Sequence, residues 1–153
     1  VSEVILIPVE EWGDHATELL YQLLEGRPPE VNISHKRMPT FEAHKAFVQS
    51  RPYQGWWLIV ATEIKGQGAI SRASWFNVPV GACYISKQNE IGIQIGKPYQ
   101  RRGYARTALN TLIEMHKGQR LLANIAPGNE ASRKLFEGFG FKHIQDTLAL
   151  EQG

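Results

Sequence analysis

The stretch from Ile91 to Leu112, reading IGIQIGKPYQRRGYARTALNTL, restricts this chain more than any other. An alternating strand, Glu90 to Ile95 with Ile91, Ile93 and Ile95 on one face, leads through a basic loop into a helix. That helix, Tyr104 to His116, has an apolar side made of Ala105, Ala108, Leu109, Leu112, Ile113 and Met115. A strand feeding a helix N-terminus in this way makes an anion site. First-turn N–H groups have no partner within the helix, and the helix dipole places partial positive charge on them. Gly103 lets a diphosphate approach the backbone, and Ala105 keeps the next amide uncrowded. Lys97, Arg101, Arg102 and Arg106 add attraction for a ligand carrying several phosphates, and together these features suit coenzyme A. A nucleotide-binding β-α unit fits less well, because the loop lacks both the Gly-Lys-Ser/Thr of a P-loop and the three-glycine dinucleotide fingerprint.

The rest of the chain supplies a frame around this unit. Strands are expected at Val4 to Pro8, Trp56 to Glu63, Val80 to Ser86 and Leu121 to Ile125, with a tight turn at Lys87 to Asn89 and a final strand pair at Lys142 to Gln145 and Leu148 to Glu151. Helices are expected at Glu11 to Glu25, from the Thr40 cap to Ser50, and at Glu130 to Glu137. Gly66 and Gly68 open a long connection that runs to Pro79. A chain of 153 residues with 42% hydrophobic and 21% charged residues is expected to fold as a single domain over 1–153 with its own core. One cysteine, Cys83, excludes an internal disulfide and a Cys-rich zinc site; it fits a reducing, cytoplasmic compartment and burial in a strand. A net charge of +2 does not argue for nucleic acid, and no apolar run or leader pattern argues for a membrane.

Two motifs carry a family resemblance. Gln100-Arg101-Arg102-Gly103-Tyr104-Ala105 resembles the Q/R-x-x-G-x-G/A loop of the GCN5-related N-acetyltransferase (GNAT) superfamily, and Asn129 to Phe141, NEASRKLFEGFGF, resembles the helix and turn that follow that family's fifth strand. The likeness covers roughly Glu90 to Phe141; the earlier half agrees in element order only. It implies an α/β (α+β) fold: a mixed, mostly antiparallel sheet of six to seven strands, flanked by about four helices and splayed between the fourth and fifth strands. It also implies acetyl-CoA as cosubstrate, no metal, and direct transfer of the acetyl group to an amine. By the same resemblance Ile93, Gln94 and Ile95 offer main-chain groups to the pantetheine arm, and a strand amide polarises the acyl oxygen. Residues Gln100, Arg101, Arg102, Gly103, Tyr104, Ala105 and Arg106 form the diphosphate loop. The resemblance further implies that Asn129 contacts the pantetheine on its other side, and that Ser132 and Phe136 belong to the cofactor site.

One position departs from the pattern. Many members carry a tyrosine where this chain has Phe136, and phenylalanine cannot protonate the leaving thiolate; Ser132 is the substitute proposed from the motif, with a water or another tyrosine as alternatives. An alkylammonium of pKa near roughly 10.4 must lose a proton before it attacks, and Glu90, at the start of the central strand, is the candidate base. Its competing reading is a solvated hairpin charge. For the acceptor site, His35 and Tyr84 are the candidates, with His44, Trp56, Trp57 and Ser86 read as packing or surface residues in the alternative; His116 and His143 are expected to be structural or solvated. The acceptor implied is a small-molecule primary amine, an aminosugar or nucleotide-linked aminosugar, with a protein N-terminus or a non-catalytic acyl-CoA-binding module as alternatives. The quaternary state expected is a monomer or a homodimer.

Overall fold

The computed structural model describes residues 3–27, 37–64 and 75–153. Five strands lie in the order β1 (Glu3–Pro8), β2 (Gly55–Ile64), β3 (Trp75–Ile85), β4 (Glu90–Ile95) and β5 (Leu122–Ala123). Neighbours from β1 to β4 run antiparallel, and β5 joins β4 in parallel. Four helices cover the two faces: α1 (Val9–Glu25), α2 (Phe41–Gln49), α3 (Tyr104–Met115) and α4 (Glu130–Gly138). The mixed, mostly antiparallel sheet with flanking helices agrees with the expectation from sequence, but its strand count does not.

The expected strands at Lys142 to Gln145 and Leu148 to Glu151 do not form; the residues from Lys142 onward are exposed and in neither helix nor strand. Alternating apolar residues give a segment the right period, yet period alone makes no hydrogen bonds, and among the described residues this segment pairs with no strand. β3 departs in the opposite sense, starting at Trp75 where the sequence reads a connection through Pro79. Proline is tolerated there because the β2–β3 register shifts between Ile59 and Val60, and because β4 pairs with β3 only from Gly81 onward.

Each face of the sheet holds its own core. Ile59, Cys83, Ile85 and Ile91 meet Tyr104, Ala108, Leu109, Leu112 and Phe136 on one side. On the other, Leu58, Val60 and Ala82 meet Val9, Ala16, Leu20 and Val48. The two tryptophans divide accordingly: half-buried Trp56 packs with α1 and α2, and Trp57 lies over Gly55 with its edge toward His116. Cys83 is buried, and the loss of hydration pushes its thiol up to about 12. His116 closes α3 with its Nδ1 2.8 Å from the Leu112 carbonyl, and exposed His143 pairs with Asp146 at 3.0 Å.

α2 starts as the sequence indicates, with the Ala43 N–H donating to Thr40 Oγ1 at 3.1 Å. It then turns His44 inward against α1, where the ring N–H donates to the Thr17 carbonyl and the ring tilts against Tyr21 at 5.2 Å. The imidazole is 6% exposed and its Nε2 has no hydrogen-bond partner, so the loop-and-helix histidine is a packing residue here. Burial holds its pKa below 6.5, outweighing the Thr17 hydrogen bond.

The sign of the resulting pH effect follows from linkage. Below pH 6.5 the unfolded chain takes up a proton that the folded chain refuses until its own lower pKa, so stability declines as pH falls through that window. The urea midpoint is expected to fall between pH 7.5 and 5.0, and to fall less in His44→Phe; equal declines in both proteins would assign the loss to other groups.

Candidate active site

β4 has two unequal edges. Along one it pairs with β3 from Gly81↔Ile95 to Ile85↔Ile91; along the other only Glu90↔Leu122 and Ile91↔Ala123 are paired with β5. From Gly92 to Ile95 the second edge is open, which is the splay expected between the fourth and fifth strands. The side chains of this segment are otherwise engaged: Ile93 and Ile95 pack in the α3 core, and the Gln94 amide donates to the Leu23 carbonyl of α1. Only main-chain groups are presented at the open edge, as an added strand would require.

The chain then turns into α3. Gly96 N–H donates to the Val80 carbonyl at 2.8 Å, residues Lys97–Tyr99 form one 3-10 turn, and the Gln100 side chain donates back to the Ile95 carbonyl at 3.0 Å. Arg101 (φ 65°) and Gly103 (φ 85°) both adopt the left-handed conformation. Gly103 is the N-cap residue, has no side chain to occupy the first-turn amides, and a Cβ there would meet nothing within 4 Å. The space in front of Ala105 and Arg106 N–H is therefore open. Two cations are steadied by aromatic rings: Arg102 lies 6.0 Å from the Tyr99 ring centre and Arg106 5.4 Å from that of Phe139. Lys97 and Arg101 are exposed, and Tyr104 is buried in the core. Open peptide edge, bare N-cap and basic rim in sequence fit a ligand with an extended amide-bearing arm and a diphosphate.

At the closed end of the splay sits Glu90. Its Oε1 accepts from Ser86 Oγ at 3.3 Å and its Oε2 from the Asn124 side-chain amide, so donors from either side of the strand fix the carboxylate. The Ser86 hydroxyl also accepts the Glu90 N–H at 3.0 Å across the three-residue hairpin loop, in which Asn89 is left-handed. Tyr84, opposite Gly92, lays its ring across β4: a Cβ on Gly92 would overlap that ring and approach its hydroxyl to 2.7 Å. Tyr53 stacks on Tyr84 with centroids 4.0 Å apart, which brings the two hydroxyls together. Burial raises both phenols above their ordinary pKa, with the Glu90 charge raising Tyr84 further and Arg27 opposing. Both therefore stay neutral.

A groove of about 380 Å³ adjoins this stack, bounded by Glu10 and Asp14 of α1 and by Arg51, Tyr53, Gln54 and Trp56. Gln54 ties it to the hairpin, donating to the Ser86 carbonyl at 3.1 Å and to Asn89 Oδ1 at 3.0 Å. Asn124, Tyr53 and Gln54 escaped the sequence reading, since nothing local marks them. A glycine in β4 is a usable signal for Tyr84, because an aromatic ring often covers a strand glycine from the neighbouring strand.

The motif residues of α4 divide between structure and site. Asn129 caps the helix, accepting the Ser132 N–H at 3.3 Å, and Ser132 is half-buried on the first turn. Phe136 is 3% exposed and packs edge-on against Phe141 at 5.1 Å. His35 lies outside the described residues. Among the described residues no helix is long and apolar enough to cross a membrane.

Comparison with known proteins agrees with this geometry. A domain from Methanocaldococcus jannaschii DSM 2661 superposes with a TM-score of 0.76 at 24% identity, covering 96% of this chain and 93% of that one. The yncA protein of Salmonella typhimurium, solved with its cofactor acetyl-CoA, gives a TM-score of 0.60 at 18% identity over 92% and 79%. A ribosomal-protein-alanine N-acetyltransferase from Brucella melitensis gives 0.60 at 18% over 94% and 86%. At these identities the likeness is one of fold. No curated protein sequence matches the chain. The acetyltransferase (GNAT) domain model matches residues 4–142, nearly the whole chain, which therefore belongs to that family of N-acetyltransferases and takes its acetyl group from acetyl-CoA.

Proposed function

We propose that this enzyme acetylates the primary amine of a small molecule, by direct attack on acetyl-CoA lying along the open edge of β4. The observation that carries the reading is the continuity of that edge from Gly92 to Ile95 with the bare N-cap at Gly103. In this reading the amides from Arg101 to Arg106 hold the diphosphate, Gln100 holds the loop closed, and the main chain of Ile93, Gln94 and Ile95 holds the arm. Asn129 keeps its side-chain N–H₂ for the arm while its oxygen caps α4, and Phe136 walls the cleft from within the core. The donor supplies an activated acyl group; the chain supplies position and proton handling.

Glu90 takes the proton that the attacking amine must lose. Its support is geometric: a carboxylate oriented by two donors at the closed end of the splay is held where a bound thioester would end. Tyr84, on the same face, offers its neutral hydroxyl to the acceptor, and the groove beside Tyr53 receives the acceptor's body. An aminosugar suits this mixture of aromatic faces, carboxylates and amides, since sugar rings present both C–H faces and hydroxyls. Ser132 is the hydroxyl assigned to the departing sulfur, from its place on the first turn of α4.

Four variants test these assignments. Calorimetry with acetyl-CoA is expected to show at least a roughly tenfold weaker complex in Gly103→Val, a loss of about 1.4 kcal/mol, because the side chain would enter the diphosphate space; unaltered affinity would remove the basis of the reading. Glu90→Gln is expected to lower kcat by about 10²-fold or more while acetyl-CoA affinity holds. Tyr84→Phe is expected to raise KM for the amine several-fold with little change in kcat, whereas Ser132→Ala should lower kcat alone; a normal enzyme in either case would cancel that residue's role.

A further inference from the structure

We propose that Asn124 is a positioning residue for acyl transfer, its side-chain amide aiming the Glu90 carboxylate at the closed end of the splay. The inference rests on Glu90 being the base and adds what holds that base in line. Asn124 stands one residue past β5, on the strand that parts from β4. The Leu122 N–H donates to the Asn89 carbonyl at 2.9 Å, and Leu122 and Ala123 then pair with Glu90 and Ile91, so backbone contacts set where Asn124 lies relative to Glu90. Its side chain is exposed and caps neither α3 nor α4. Among the hydrogen bonds of the described residues, the one this side chain makes is donated to Glu90 Oε2. A polar group engaged in that way alone serves the carboxylate rather than the fold.

The second donor shows what Asn124 adds. The Ser86 hydroxyl accepts the N–H of Gln88 at 3.2 Å and that of Glu90 at 3.0 Å, which fills both of its lone pairs. Its own proton is left for Glu90 Oε1, 3.3 Å away, so Ser86 is fixed as a donor from the hairpin side. Held by that contact alone, the half-buried glutamate could still swing its other oxygen. Asn124 donates to that other oxygen from the β5 side, and donors on both oxygens fix the plane of the carboxylate. Each oxygen of an ionised carboxylate has two lone pairs, so one remains on each for the incoming proton. That proton leaves the amine nitrogen as its bond to the acyl carbon forms and passes to Glu90, while Ser86 and Asn124 keep theirs.

Steady-state kinetics with acetyl-CoA and glucosamine, on Asn124→Ala and Asn124→Leu alone and combined with Glu90→Gln, test it. Alone, each change is expected to lower kcat at least about tenfold, with acetyl-CoA affinity by calorimetry held within about twofold. Added to Glu90→Gln, the same change is expected to cost less than about twofold, because a residue that acts by aiming Glu90 then has no base to aim. Full kcat in Asn124→Leu overturns the proposal, since bulk without a donor would suffice. Equal losses in both backgrounds overturn it as well, by giving Asn124 a task independent of Glu90, and so does a fall in acetyl-CoA affinity that matches the fall in kcat. Normal turnover in Glu90→Gln removes the base and this inference together; an impaired Glu90→Gln beside unimpaired Asn124 variants removes this inference alone. A readout without turnover decides even if glucosamine is a poor acceptor: the Asn124 side-chain amide signals, identified in the NMR spectrum by their loss in Asn124→Leu, are expected to move in Glu90→Gln, and unmoved signals overturn the proposal.

Discussion

The unequal pairing of β4 governs the rest of this structure. A strand inside a sheet normally has both edges satisfied; this one is satisfied throughout by β3 and for two residues by β5. Main-chain groups left bare in a protein interior are costly, and the cost is lowered here because Gly92 to Ile95 stay partly exposed, where solvent or ligand can supply partners. The same divergence sends the chain after Ile95 outward, where it can turn through two left-handed residues into α3. The open edge of β4 and the bare N-cap of α3 are thus consequences of one backbone event rather than two separate constructions.

The side chains around that event are sorted by face. Odd positions of β4, the three isoleucines, belong to the α3 core, and even positions, Glu90, Gly92 and Gln94, look toward α1 and α2. A period of two is enough to keep the titratable carboxylate away from the apolar core and beside the tyrosine pair. Gly92 has a packing role in this arrangement: with no side chain, it makes room for the Tyr84 ring to lie on β4, and Tyr53 then stacks on Tyr84.

What could be read from the sequence was what depends on local pattern. The extent of β4, the Thr40 cap, the α3 stripe and the burial of Cys83 all follow from spacing and residue type, and so were legible. What depended on distant partners was not. Pro79 looked like the end of a connection because its tolerance in β3 requires knowing that the ladder shifts opposite it and that β4 stops at Gly81. The tail was read as two strands because its pattern is strand-like, while whether the chain docks on an edge is not written in the pattern. Asn124 reaches Glu90 across 34 residues, and Tyr53 meets Tyr84 across the sheet. Neither contact has a sequence signature, whereas the loop motif is visible because it is a backbone shape written over six consecutive residues.

The placement of Cys83 has a bearing on an enzyme that handles thioesters. A cysteine thiolate is the strongest nucleophile a protein can offer an activated acyl group, and trans-thioesterification to it would consume the donor in a side reaction. Here the only sulfhydryl in the chain is 1% exposed on the α3 face of β3 and keeps its proton up to about pH 12. Sealing it in the core leaves the incoming substrate without an internal rival for the acetyl group, so self-modification is suppressed by packing alone.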